Sequence, residues 1–264
     1  MTIRRLAIAA AVLLAVAVGT LYVLDATLFA PSEVGTGAPA AATLAPAADV
    51  PADAPAVDPA AGATGAATAP PSASGGGAAA PAGDGPRLYR IDPARSEARY
   101  EVGETFFDGN RFVVAVGRTR AVAGDIRIDP ANPGGSEVGE IVVDVSQLTS
   151  DRPRRDNFIR RNALQSSQYP DARFVTRAIE GFPADPALDT PLSFRLAGDL
   201  TVKDVTLPAT WDVTTTLGAD ALTGSASTSV TMSSYGIGPI EIPMLATEDA
   251  VRLVLDFVAA PVTE

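Results

Sequence analysis

The stretch that most constrains the fold is Leu192–Leu217, LSFRLAGDLTVKDVTLPATWDVTTTL. Leu192, Phe194, Leu196, Gly198, Leu200 and Val202 occupy even positions, alternating with Ser193, Arg195, Ala197, Asp199 and Thr201. A period of two is the signature of a strand with one buried face. In the second half the parity changes, and Val205, Leu207, Ala209, Trp211 and Val213 carry the pattern on odd positions. A two-residue turn at Lys203-Asp204 produces that change, because Val202 and Val205 then oppose each other on one face. The same register pairs Leu200 with Leu207, Leu196 with Trp211 and Phe194 with Val213, and on the outer face it sets Arg195 against Asp212.

The alternation recurs from Arg87 to the end of the chain. Ala98, Tyr100 and Val102 are expected to face inward, followed by Phe112, Val114 and Val116. Val122 to Ile128 reads as one strand, then come Ile141–Val145, Phe174–Thr176, Leu222–Met232 and Val251–Phe257. About eight or nine strands joined by short turns predict an all-β, antiparallel barrel or sandwich. One segment breaks the pattern. Ser150–Gln165 reads as a short helix over one end of the barrel, with Ser150 or Asp151 at the N-cap, Pro153 in the first turn, and Phe158, Ile159 and Leu164 toward the core. Arg152, Arg154, Arg155, Arg160 and Arg161 crowd into it.

Three regions follow. Residues 1–30 contain Arg4-Arg5 and then Leu6–Leu24, which is free of charge and long enough to cross a bilayer. A signal peptide has a shorter apolar core and a small-x-small cleavage site, so a signal anchor, a transmembrane segment, is the favoured reading. The positive-inside rule then puts the rest of the chain outside the cytoplasm, in the cell envelope, or secreted if the segment is cleaved. Residues 31–86 are nearly all Ala, Pro, Gly, Thr and Ser and read as a disordered linker. As a flexible coil it would span about 40 Å. Residues 87–264 form one domain with a formal charge of −7.

Composition removes many chemistries. The chain has no Cys and no His. That excludes a His general base, a Cys nucleophile and any His or Cys ligand for a metal or haem. Its net charge of −11 argues against nucleic acid as a partner. Nearly all strand carboxylates, Glu97, Glu101, Asp125, Asp144, Asp199, Asp212 and Asp256, fall on the outer face, which argues against a catalytic dyad within the barrel. A polar pair facing the lumen would revive an enzymatic reading.

Many inward positions are small, among them Ala98, Gly124, Gly198, Ala209, Gly224, Ala226 and Thr228. Between them stand Phe112, Phe194, Leu196, Trp211, Leu222, Leu253 and Phe257. One reading is an apolar tunnel for a chain-like ligand; the other is a filled barrel whose small residues make room for large neighbours. The arginine cluster also has two readings. It is either a cationic rim that receives a phosphate or carboxylate head group, with Arg154 and Arg160 as the candidates, or a solvated face paired with acidic residues.

The ordered segments YRIDPARSEARYEV (Tyr89–Val102), VGRTRAVAGDIRID (Val116–Asp129), RRDNFIRRNALQSSQYPDARF (Arg154–Phe174), GDLTVKDVTLPATWDV (Gly198–Val213) and SYGIG (Ser234–Gly238) resemble those of the YceI-like, or polyisoprenoid-binding, family. The resemblance implies a lipocalin-like barrel of about eight strands that binds an isoprenoid, quinone or fatty-acyl lipid. It implies no catalysis, cofactor or metal, and it admits a homodimer. Tyr100, Phe112, Phe194, Leu196, Gly198, Ala209, Trp211, Val213, Leu222, Gly224, Ala226, Leu253 and Phe257 are the expected lumen residues. The chain departs from the family pattern in three places. It lacks the histidines common in the family, Met232 stands where an Arg is frequent, and Asp204 stands at a turn position where Gly is usual.

Overall fold

The structure, a computed structural model, describes residues 38–44 and 85–262. The apolar segment read as a signal anchor lies outside the described residues. Among the described residues no helix is long and apolar enough to cross a membrane.

The domain is one curled antiparallel sheet of thirteen strands with a single short α-helix. The first part of the chain gives β1 (Arg87–Ile91), β2 (Glu97–Phe106), β3 (Arg111–Thr119), β4 (Val122–Ala123), β5 (Asp125–Ile128), β6 (Glu137–Val138) and β7 (Ile141–Asp144). Helix α1 (Pro153–Phe158) runs on into a π-helical turn, Ile159–Ala163. Then come β8 (Asp171–Glu180), β9 (Pro191–Val202), β10 (Val205–Leu217), β11 (Leu222–Thr231), β12 (Glu241–Ile242) and β13 (Leu245–Pro261). The count exceeds the expected eight partly because Gly124 divides the expected strand Val122–Ile128. β4 pairs with β7, whereas β5 pairs with β1. A Cβ at Gly124 would stand 2.4 Å from Ile141 Cδ1 and 3.2 Å from the Glu140 carbonyl oxygen, so the chain passes close to its neighbours there.

The spine of the sheet is β13. One edge pairs with β11 along ten residues, and the other pairs first with β2 and then with β1. The β9–β10 hairpin has the register read from the sequence, including Leu196 opposite Trp211 and Arg195 opposite Asp212. At its turn, left-handed backbone falls on Lys203 (φ 58°) and not on Asp204. Helix α1 differs from expectation at its start. Pro153 is its first residue, so the N-cap is Arg152, and Ser150 Oγ instead accepts the Arg152 N–H at 3.2 Å.

Strand β3 has the opposite parity to that expected. The β2–β3 register pairs Tyr100 with Gly117 and Val102 with Ala115, so odd positions of β3 face inward. Phe112 and Val114 point outward and are 55% and 56% exposed, while Ala115 is buried. A one-residue slip reverses every side chain of a strand. The Phe112 ring covers Gly103 on the outside of the sheet.

Inward glycines are covered by rings. A Cβ on Gly117 would strike the Tyr100 ring, one on Gly198 the Phe174 ring, and one on Gly224 the Phe257 ring. In the first and third cases ring and glycine are direct cross-strand partners. Within the stretch read as linker, residues 38–44 lie along the outside of the sheet. Leu44 N–H donates to Asp125 Oδ2 at 3.1 Å, Ala42 N–H to Glu140 Oε2 at 3.3 Å, and the Leu44 side chain covers Gly139.

A Cβ at Gly198 would also lie 2.3 Å from the Val175 carbonyl oxygen, a backbone atom with little freedom to yield. Gly198→Ala should therefore lower the unfolding free energy by about 1–3 kcal/mol. Urea denaturation followed by circular dichroism reads this, and an unchanged midpoint would contradict the packing described.

Candidate functional site

The curled sheet encloses a cavity of about 1450 Å³, larger than the 300–1,000 Å³ usual for small-molecule sites. Its wall is built from the inward positions of the strands and roofed by the helical segment, which contributes Phe158, Ile159, Ala163 and Leu164. The residues Met232–Tyr235 form a 3₁₀ turn stopped by Gly236 in left-handed conformation (φ 65°). The turn and the loop after it bring Tyr235, Ile237 and Ile240 to the wall. The exposed residues of the lining come from two segments, Asp151–Arg154 and Pro243-Met244, which mark the mouth.

Of the expected lumen residues, Tyr100, Phe194, Leu196, Trp211, Val213, Leu222, Ala226, Leu253 and Phe257 line the cavity. Phe194 meets Phe182 edge to face at 5.1 Å, and Trp211 meets Phe174 in the same way at 5.9 Å. Four expectations are corrected. Phe112 points out of the barrel because of the β3 parity. Gly198 and Gly224 face inward, but the Phe174 and Phe257 rings occupy the space above them. Ala209 packs against the core beside Gly198 and does not reach the cavity.

The arginines separate by role. Arg154 is exposed at the mouth. Arg160 is not a head-group contact: it is buried, donates from Nη1 to the Leu148 carbonyl at 2.6 Å and from Nη2 to Asn157 Oδ1 at 2.8 Å, and lies outside the lining. Its charge fastens the helical segment to the chain that precedes it. Arg111 and Arg152 lie over the Phe106 ring, 4.6 and 5.1 Å from its centre.

The cavity also holds a pair that was not expected. Arg155 donates from Nε to Glu104 Oε1 at 2.9 Å and from Nη2 to Oε2 at 2.8 Å, and both residues line the cavity. Burial pulls the Arg155 guanidinium down, but its hydrogen bonds to Glu104 and Asp151 outweigh that and hold its pKa above the ordinary value. Glu104 was legible in the sequence, since it continues the inward parity of Ala98, Tyr100 and Val102. Nothing in the sequence singled out Arg155 among its neighbours. Deeper in, burial raises the Tyr100 phenol well above its usual pKa. Among the described residues no group of His, Cys, Asp or Glu is arranged to hold a metal ion.

Replacing Arg160 with Met should cost about 1–3 kcal/mol by leaving buried acceptors unpaired, whereas Arg154→Ala should stay within about 0.5 kcal/mol. Thermal melts of the two variants measure the contrast, and equal melting temperatures would refute the division of roles.

No curated protein matches the chain. Solved structures resemble the chain, and one of them shows the same fold above a TM-score of 0.5. BcnA of Burkholderia cenocepacia superposes with a TM-score of 0.52 at 20% identity, covering 64% of this chain and 99% of that one. A polyisoprenoid binding domain from Saccharophagus degradans gives 0.49 at 12% identity, covering 66% and 98%. The YceI protein of Campylobacter jejuni gives 0.46 at 17% identity, covering 56% and 85%. The sequence model of the YceI-like domain matches residues 89–259, from β1 into β13 and through the whole cavity wall, and the chain therefore belongs to the YceI-like domain family.

Proposed function

We propose that the domain binds one apolar, chain-like lipid within the barrel. The observation that carries this reading is the cavity itself: about 1450 Å³, open at one mouth, with a wall of Leu, Ile, Val, Phe, Trp and Ala side chains. Burying an alkyl or isoprenoid tail there gains about 0.8 kcal/mol per CH₂, so a long chain binds without any covalent step. Isoprenoids, quinones with isoprenoid tails and fatty-acyl lipids all fit this chemistry. The polyisoprenoid binding named for the Saccharophagus degradans domain points the same way.

A filled barrel acting purely as an interaction module fits less well, because side chains leave the lumen empty. The polar pair that would revive an enzymatic reading is present, but it does not supply acid–base chemistry. An arginine stays protonated at neutral pH, and both oxygens of Glu104 accept from it. At the level of the cell, Leu6–Leu24 supports an anchored protein with its domain in the envelope outside the cytoplasm.

Trp211, the single tryptophan, is in the wall. Long-chain prenol added to the delipidated full-length protein should change its fluorescence, and organic extraction of protein from its own host should release a lipid seen by mass spectrometry. Ala226→Trp, which projects into the cavity, should shift the bound lipids to shorter chains. No extractable lipid together with unchanged Trp211 emission would overturn the reading.

A further inference from the structure

The Glu104–Arg155 pair stands just behind the mouth. Glu104 is the next inward residue of β2 after Phe106, whose ring lies under Arg111 and Arg152. Both side chains are shielded, with 5% of Glu104 and 11% of Arg155 exposed. All three guanidinium nitrogens are engaged: Nε and Nη2 by the two oxygens of Glu104, and Nη1 by Ser150 Oγ and Asp151. Two further arginines near the cavity, Arg99 and Arg173, alternate with the inward Tyr100 and Phe174 and so carry their charges on the outer face of the sheet. Arg99 is held by Glu101 and Asp256, and Arg173 by Glu140 and Asp171.

An anionic head group brought past Phe106 would therefore lose its water and meet, in Arg155, a cation already held by the carboxylates of Glu104 and Asp151. A buried charge without a partner is strongly unfavourable. At the mouth the same head group would find the exposed Arg152 and Arg154, where solvent-screened contacts contribute little. A hydroxyl, carbonyl or ester loses far less on entry. Resting on the lipid-binding reading above, we infer that the Glu104–Arg155 pair makes the barrel selective for uncharged chain lipids, and that Glu104 is the specificity-determining residue.

Glu104 acts here by occupying Arg155. Removing its charge releases the Nε–Nη2 edge of the guanidinium, the edge whose planar fork fits a carboxylate, while Asp151 keeps Nη1, so the variant should gain a ligand that the wild type refuses. The probes are hexadecanol and hexadecanoic acid, which share a chain length and differ at the head. They are titrated at pH 8, where the acid is ionised, into the delipidated full-length protein. Trp211 fluorescence gives the affinities and native mass spectrometry the stoichiometry.

Wild type should bind the alcohol at least about tenfold more tightly than the acid, and Glu104→Gln should raise affinity for the acid by about tenfold or more. The double variant Glu104→Leu/Arg155→Met, with an uncharged wall, should keep the preference for alcohol, and this arm stands even if Glu104→Gln does not fold. Equal wild-type affinities for alcohol and acid would overturn the inference while leaving lipid binding intact. So would an unchanged ratio in folded Glu104→Gln, or a double variant that takes the acid as readily as the alcohol. If wild type binds neither probe, the lipid-binding reading fails and the inference with it.

Discussion

Rings packed over glycines set the shape of this barrel. Tyr100 over Gly117, Phe174 over Gly198 and Phe257 over Gly224 each bring an aromatic side chain into the space where the glycine of a neighbouring strand lacks a Cβ. Such close approach requires that no Cβ intervene. A ring laid along the wall contributes apolar surface without crossing the lumen. The glycines therefore keep the cavity open indirectly: the space above each is occupied, and the centre remains free.

The cavity is roofed by a segment that would be costly to hold in place on packing alone. Helix α1 is one and a half turns long, too short to persist in isolation. Two shielded polar contacts attach it, Arg160 to the Leu148 carbonyl and Arg155 to Glu104 across to β2, while Arg160 to Asn157 braces the segment internally. Removing one partner of such a contact leaves a desolvated group behind, so each contact stabilises the roof more firmly than an exposed ion pair would. The same polar groups that attach the roof also determine the charge of the wall beneath it.

Alternation made most of this legible from the sequence. The β9–β10 register followed from the parity change at Lys203-Asp204 because a two-residue turn leaves the pairing no freedom. The β2–β3 turn is longer, Phe107–Asn110, and apolar residues stand on both faces of β3. Phe112, Val114 and Val116 compete there with Val113, Ala115 and Gly117. Hydrophobicity alone favours the first set, but Tyr100 requires a glycine opposite it and only the second set provides one. The inward glycines were visible as small residues. What covers them depends on pairing between strands distant in sequence, so Gly198 and Gly224 read as open space. The parity of Ala98, Tyr100 and Val102 extends to Glu104, a signal the count of outer-face carboxylates passed over. The partner of Glu104 came from a helix whose rotation local spacing did not fix.

The arginine cluster shows why charge counted along a chain differs from charge presented by a fold. Arg152, Arg154, Arg155, Arg160 and Arg161 look alike in sequence, yet the helical segment sends them to different environments. Arg160 turns inward and is consumed by a carbonyl and an amide. Arg155 turns toward the lumen and is cancelled by Glu104. Arg152 lies over an aromatic ring at the mouth, with Asp151 3.7 Å away, while Arg154 meets solvent there. A run that reads as a strong cationic rim thus becomes a weakly charged opening in front of a neutral wall. An uncharged tail crosses such an opening by losing water alone, whereas an ionised head would have to surrender its hydration for contacts already taken.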